Sequence, residues 1–105
     1  MKALLFLCLF LPLALSAAES DYQLVIQDHR FQPVELVVPA GKKIKLSIEN
    51  RDATPEEFES YALNREKLVA GKSTITLFIG PLDPGRYPFF GDFNERTAQG
   101  AIVVR

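Results

Sequence analysis

From Lys43 to Glu49 the chain reads Lys-Ile-Lys-Leu-Ser-Ile-Glu, apolar and polar residues alternating without a break. A period of two puts Ile44, Leu46 and Ile48 on one face and Lys43, Lys45, Ser47 and Glu49 on the other. That is the mark of a strand with one buried and one solvated face, and a helix could not satisfy it. Ser73 to Ile79 repeats the pattern with Ile75, Leu77 and Ile79 inward. Tyr22–Asp28, Glu35–Pro39, Arg86–Phe90 and Gly100–Val104 are further β-rich runs. The turn signals Pro39-Ala-Gly41, Ala70-Gly71, Gly80-Pro81 and Asp83-Pro-Gly85 stand between runs, which is the punctuation of a sandwich or barrel. The stretch from Asp52 to Lys67 reads differently. Thr54-Pro-Glu-Glu57 matches a helix capping box, but Phe58, Tyr61, Leu63 and Leu68 hold no helical stripe. Loop and strand are expected there, with no repeat and no interdomain linker anywhere.

The first eighteen residues are expected to be a leader and not part of the fold. Met1-Lys2 is a basic start, Ala3 to Leu15 an apolar run, and Ser16-Ala-Ala18 a small-residue cleavage site. The apolar run is too short for the roughly 20 residues of a spanning helix, and Pro12 interrupts it. Cys8 lies inside the run, too early for a lipid-anchoring cysteine. The expected organisation is a cleaved signal peptide over 1–18 and one domain over 19–105, exported to the periplasm and not membrane-spanning after cleavage. Cleavage would leave 87 of the 105 residues. It removes Lys2, so 11 of the 12 Lys and Arg face all 13 Asp and Glu, a net charge of −2. No basic stripe suggests a nucleic-acid partner. The only cysteine, Cys8, leaves with the leader, so no disulfide is available. A domain this small must then rest on packing, a metal or a partner.

Across the expected mature chain the layout resembles the cupredoxin superfamily. The resemblance rests on Phe31-x-Pro33, Val38-Pro-Ala-Gly41 before the alternating strand, Ile48-Glu-Asn50, Leu82-Asp-Pro-Gly-Arg-Tyr87 and Gly100-Ala-Ile-Val-Val104. It is similar in particular to the EfeO-type cupredoxin-like domain of periplasmic iron-uptake systems. Asp28-His-Arg-Phe31, Asn50 to Ser60, Leu63 to Lys67 and Tyr87-Pro-Phe-Phe-Gly-Asp-Phe93 carry that likeness. It implies an all-β, Greek-key sandwich of seven to eight strands. The setting it implies is periplasmic iron handling beside an inner-membrane iron permease or a periplasmic partner protein.

The resemblance also fixes where a blue-copper centre would stand. Such a centre needs two imidazoles, a thiolate and a weak axial thioether. Where the first imidazole is expected the chain has Thr54-Pro-Glu-Glu-Phe58. Gly91 stands near the thiolate position, Asn94 near the second imidazole, and Ala98 or Gln99 replaces the thioether. Met1 is the sole methionine, so type 1 copper is excluded. What remains is oxygen-rich. Glu56, Glu57 and Glu59 on one segment and Asp92, Asn94 and Glu95 on another are expected at one end of the sandwich, with His29 on the first connection. His29, Glu56, Glu57, Glu59, Asp92 and Asn94 are the candidate ligands for an iron or copper ion of other than type 1 character, and such a donor set suits Fe(II), Fe(III), Mn(II) or labile Cu(II).

Each candidate has a plainer alternative. His29 reads equally as a solvated or locally hydrogen-bonded residue. Glu56-Glu57 reads as the first-turn acids of a capped helix. Glu59 alternates with Glu57 along an extended chain, so one face could turn inward. An inward carboxylate would need Arg51 or Arg65 as its partner, whereas Arg86 and Arg96 are expected in solvent. Tyr87, Phe89, Phe90 and Phe93 are expected as packing residues, an exposed Phe90 or Phe93 pointing instead to docking. Two functions follow: an accessory that binds or presents metal to a permease, or a metal-free scaffold for protein docking. No catalytic role is expected, because one histidine and, after loss of Cys8 with the leader, no cysteine give neither a redox centre nor a nucleophile–base pair.

Overall fold

The structure is a computed structural model that describes residues 22–105. The expected leader, with Cys8, lies outside the described residues. The described chain is β throughout apart from one 3-10 turn, Asp92–Asn94. Its strands are β1 (Tyr22–Gln27), β2 (Arg30–Gln32), β3 (Glu35–Val38), β4 (Ile44–Asn50), β5 (Glu56–Ser60), β6 (Arg65–Val69), β7 (Ser73–Ile79), β8 (Gly85–Gly91) and β9 (Gln99–Val104). They form two packed sheets, β2-β1-β4-β7 and β3-β9-β8-β5-β6. Nine strands thus replace the expected seven to eight.

The alternating runs do what their pattern requires. On β4, Ile44, Leu46 and Ile48 are buried, and β4 pairs antiparallel with β7 so that Leu46 faces Leu77 and Ile48 faces Ile75. Its other neighbour, β1, runs parallel, which β4's own sequence does not show. Between the sheets Phe31, Phe58 and Phe89 meet ring to ring. Phe31 stands edge-on to Phe89 with centroids 4.8 Å apart, and to Phe58 at 6.1 Å. Such pairs add about 0.5–1.5 kcal/mol each beyond their buried area.

Asp28 and His29 form the two-residue β1–β2 turn, both in the left-handed region at φ 54° and 59°. That turn suits the strand twist but ordinarily favours Asn or Gly. Here the Asp52 carboxylate accepts both turn amides, from Asp28 at 2.8 Å and His29 at 3.0 Å. On the lateral edge, Arg65 of β6 donates through Nε and Nη2 to the Phe78 carbonyl of β7, tying the margins of the two sheets together. Arg86 is exposed, as expected, and pairs at the surface with Glu35 across β9.

Candidate functional site

Alternation along β5 decides where each acidic candidate goes. Glu56, Phe58 and Ser60 turn inward and are buried, while Glu57 and Glu59 face outward. Glu56 therefore lies in a strand, not in the first turn of a helix, which corrects that alternative. The route into β5 is set by Asn50, whose buried Nδ2 donates to the carbonyls of Thr54 (2.9 Å) and Val69 (3.1 Å). Its Oδ1 accepts from the Asp52 amide at 3.0 Å.

Register brings the outer acids together. Phe58 pairs with Gly91 and Glu59 with Phe90, so the residue beyond Gly91, Asp92, comes up beside Glu57. On the other flank Glu59 faces Glu66 of β6 and Glu57 faces Leu68. Glu57, Glu59 and Asp92 each offer a carboxylate oxygen within 4.8 Å of the others. Among the described residues none of the three forms an ion pair. Desolvation, a side-chain hydrogen bond with Glu66 and repulsion from Glu66, Asp92 and Glu59 push the Glu57 carboxyl up to about 7. Desolvation with repulsion from Glu66, Asp92 and Glu95 raises Glu59 as well. The same field raises the Tyr61 phenol, Glu59 contributing most. Glu66 and Tyr61 thus belong to this surface, although neither stands out in the sequence. Cross-strand pairing places Glu66 there and the β5–β6 turn places Tyr61, and a lone sequence does not disclose pairing register.

The other candidates go elsewhere. Glu56 is 1% exposed. Its Oε1 accepts from the amides of Glu57 (2.9 Å) and Phe93 (2.8 Å), and its Oε2 from Asn94 Nδ2 (2.9 Å). Backbone and carboxamide N–H groups therefore satisfy the inward carboxylate, not Arg51 or Arg65 as expected. Arg51 pairs with Glu49 instead. His29 comes to the same end as the β8–β9 loop, where Thr97 Oγ1 donates to its carbonyl at 2.6 Å. Its ring, however, faces Asp52, with Nδ1 3.5 Å from Oδ2, and is not among the converging carboxylates. Burial pushes the Asp52 carboxyl up, but the His29 and Asp28 amides, with His29 and Lys72, hold it below the usual range. Phe89 is core, as expected. Phe93, at 51%, is exposed.

Two sheets of this strand order, with Glu56, Gly91, Asn94 and Ala98 gathered at the loop end, define a sandwich of the cupredoxin class. Solved structures share it. An amicyanin methionine-to-alanine mutant in its Cu(I) form superposes with a TM-score of 0.68 at 18% identity, over 85% of this chain and 86% of that one. Auracyanin A, a "blue" copper protein of Chloroflexus aurantiacus, gives 0.67 at 16%, over 79% and 96%. A purple cupredoxin from Nitrosopumilus maritimus gives 0.63 at 17%, over 81% and 100%. At these identities the likeness is one of fold. The chain belongs to the cupredoxin-like domain family, whose model matches residues 1–104. An uncharacterized protein of Rickettsia prowazekii (strain Madrid E) is 48% identical over 84 residues, 80% of this chain and 67% of that protein.

The copper of such relatives does not fit here. The donor set at the corresponding place is one carboxylate, one carboxamide, a glycine and an alanine, with no sulfur and no imidazole. A Cβ placed on Gly91 would stand 2.5 Å from Glu56 Cδ and 2.8 Å from Ala98 Cβ, so Glu56 already fills the space. Both of its oxygens are engaged by N–H donors.

Proposed function

We propose that the protein is an exported, non-enzymatic accessory of an iron-uptake system that holds a hard metal ion at Glu57, Glu59 and Asp92. It would present that ion to an inner-membrane permease or a periplasmic partner. The observation that carries this reading is the convergence of three carboxylates, none of which forms an ion pair among the described residues. Oxygen donors suit iron(II), iron(III) and manganese(II). The iron and periplasmic setting rests on the likeness of Asn50–Ser60 and Tyr87–Phe93 to the iron-uptake domains. Calorimetry with anaerobic Fe(II) and with Mn(II) tests it. Binding tighter than millimolar is expected, and it should be lost in a Glu57→Gln/Glu59→Gln/Asp92→Asn variant. No binding by the natural chain overturns the reading.

A second reading, a metal-free docking module, draws on the same face. Tyr61, at 79%, and Leu68 are exposed there, and Tyr61 packs on Phe90 with centroids 5.5 Å apart. A groove beside them takes in Val34, Pro88 and Glu95. By contrast, the exposed Phe78 of the opposite sheet is covered by Lys43, whose Nζ lies 4.7 Å from the ring centre. This reading requires a melting temperature indifferent to every metal tried, since a ligand that binds the folded state raises it by mass action.

A further inference from the structure

Glu56 is separated by 37 residues in sequence from Phe93 and by 38 from Asn94, yet its one carboxylate holds both. The loop it holds is closed on itself. The Asn94 carbonyl accepts from the Ala98 amide at 2.8 Å, and the Ala98 carbonyl from the Gly91 amide at 2.8 Å. Asp92 sits between Gly91 and Phe93, the two residues this network fixes most directly. Its carboxylate reaches Glu57 and Glu59 on the outer face, while Glu56 works from the inner face of the same strand.

We infer that Glu56 is the positioning residue of the outer carboxylate site. It cross-links, from inside, the two segments that a metal would otherwise bridge, and so sets Asp92 opposite Glu57 and Glu59. The buried carboxylate is thus a built-in replacement for an interior ion, and the loop is ordered before any cation arrives. The assignment rests on the proposed function for its metal arm alone. Its loop arm stands on the hydrogen bonds.

The test is amide hydrogen exchange and Mn(II) titration of three variants in the full chain. Glu56→Ala leaves the Phe93 amide and the Asn94 carboxamide without their acceptor. Exchange at Phe93 should accelerate, and Mn(II) affinity should fall about 10–100-fold, the usual effect of losing an outer-shell support. Glu56→Gln retains an oxygen for the two amides, and rotation of the Asn94 carboxamide restores the third bond. Protection and affinity should both return to near the natural values. If the alanine chain does not fold, Glu56→Asp, one methylene too short to reach both sides, carries the same expectation. Unchanged Phe93 protection in Glu56→Ala, or in Glu56→Asp where that is the variant measured, overturns the inference. So does a fall in affinity that Gln does not rescue. If the natural chain binds neither Mn(II) nor Fe(II), the proposed function fails, while the exchange arm still decides the role of Glu56.

Discussion

Desolvation, a hydrogen bond with Glu66 and crowding of like charges give the acidic face a pH signature that belongs to Glu57. Its carboxyl titrates at about 7 in the fold against an ordinary 4.5, so the folded chain holds a proton that the unfolded chain releases. The resulting contribution to stability is fully present below 4.5 and is lost as pH rises through about 7. Without metal, melting temperature should therefore decline over that interval, and Glu57→Gln should remove most of the decline. A profile identical in the two chains would show that the crowding has no thermodynamic weight. Asp52 works with the opposite sign: its carboxyl is lowered, so its contribution is lost only in acid, as pH falls below the ordinary 3.8. Asn50 gives a third expectation at this scale. Asn50→Ala leaves the Thr54 and Val69 carbonyls without a buried donor, and chemical denaturation should show a loss of about 1–3 kcal/mol.

At the scale of elements, the alternating runs of β4 and β7 were legible because side chains on a strand declare their faces two residues apart. The β5–β6 hairpin was legible only as loop and strand. Glu-Glu-Phe-Glu-Ser is almost as polar on its inner face as on its outer one, since the inner carboxylate of Glu56 is satisfied by partners far along the chain. For the same reason the six candidate ligands could be named but not sorted. Their division into an outer trio, an inner Glu56–Asn94 pair and a His29 turned toward Asp52 depends on the β5–β8 register, a non-local pairing. The tight fit of Gly91 against Glu56 gives a prediction for this element. Gly91→Ala forces overpacking, which typically costs about 1–3 kcal/mol, and the loss should be partly relieved when Glu56 is shortened to Asp. A double-mutant cycle by denaturation measures the coupling, and strictly additive losses would contradict it.

Over the whole molecule, the cupredoxin frame is kept while the place of its metal is filled by the chain itself. The interior is packed around Phe31, Phe58 and Phe89, with the Glu56 hydrogen bonds at the loop end. The carboxylates proposed to hold a cation lie on the solvent side of the sheet, at Glu57, Glu59 and Asp92. Ions held at such a surface should bind more weakly at pH 5 than at pH 8, because each must displace the proton that Glu57 retains up to about 7. Titration calorimetry at the two pH values reads the difference.

Paramagnetic line broadening by Mn(II) locates the ion residue by residue and bears most directly on this arrangement. Substoichiometric Mn(II) is predicted to erase the amide signals of Glu57, Glu59 and Asp92 first, sparing those of Val25, Ser47 and Thr76 on the opposite sheet. Broadening centred on His29 and Asp52, or no selective broadening at all, would contradict the account.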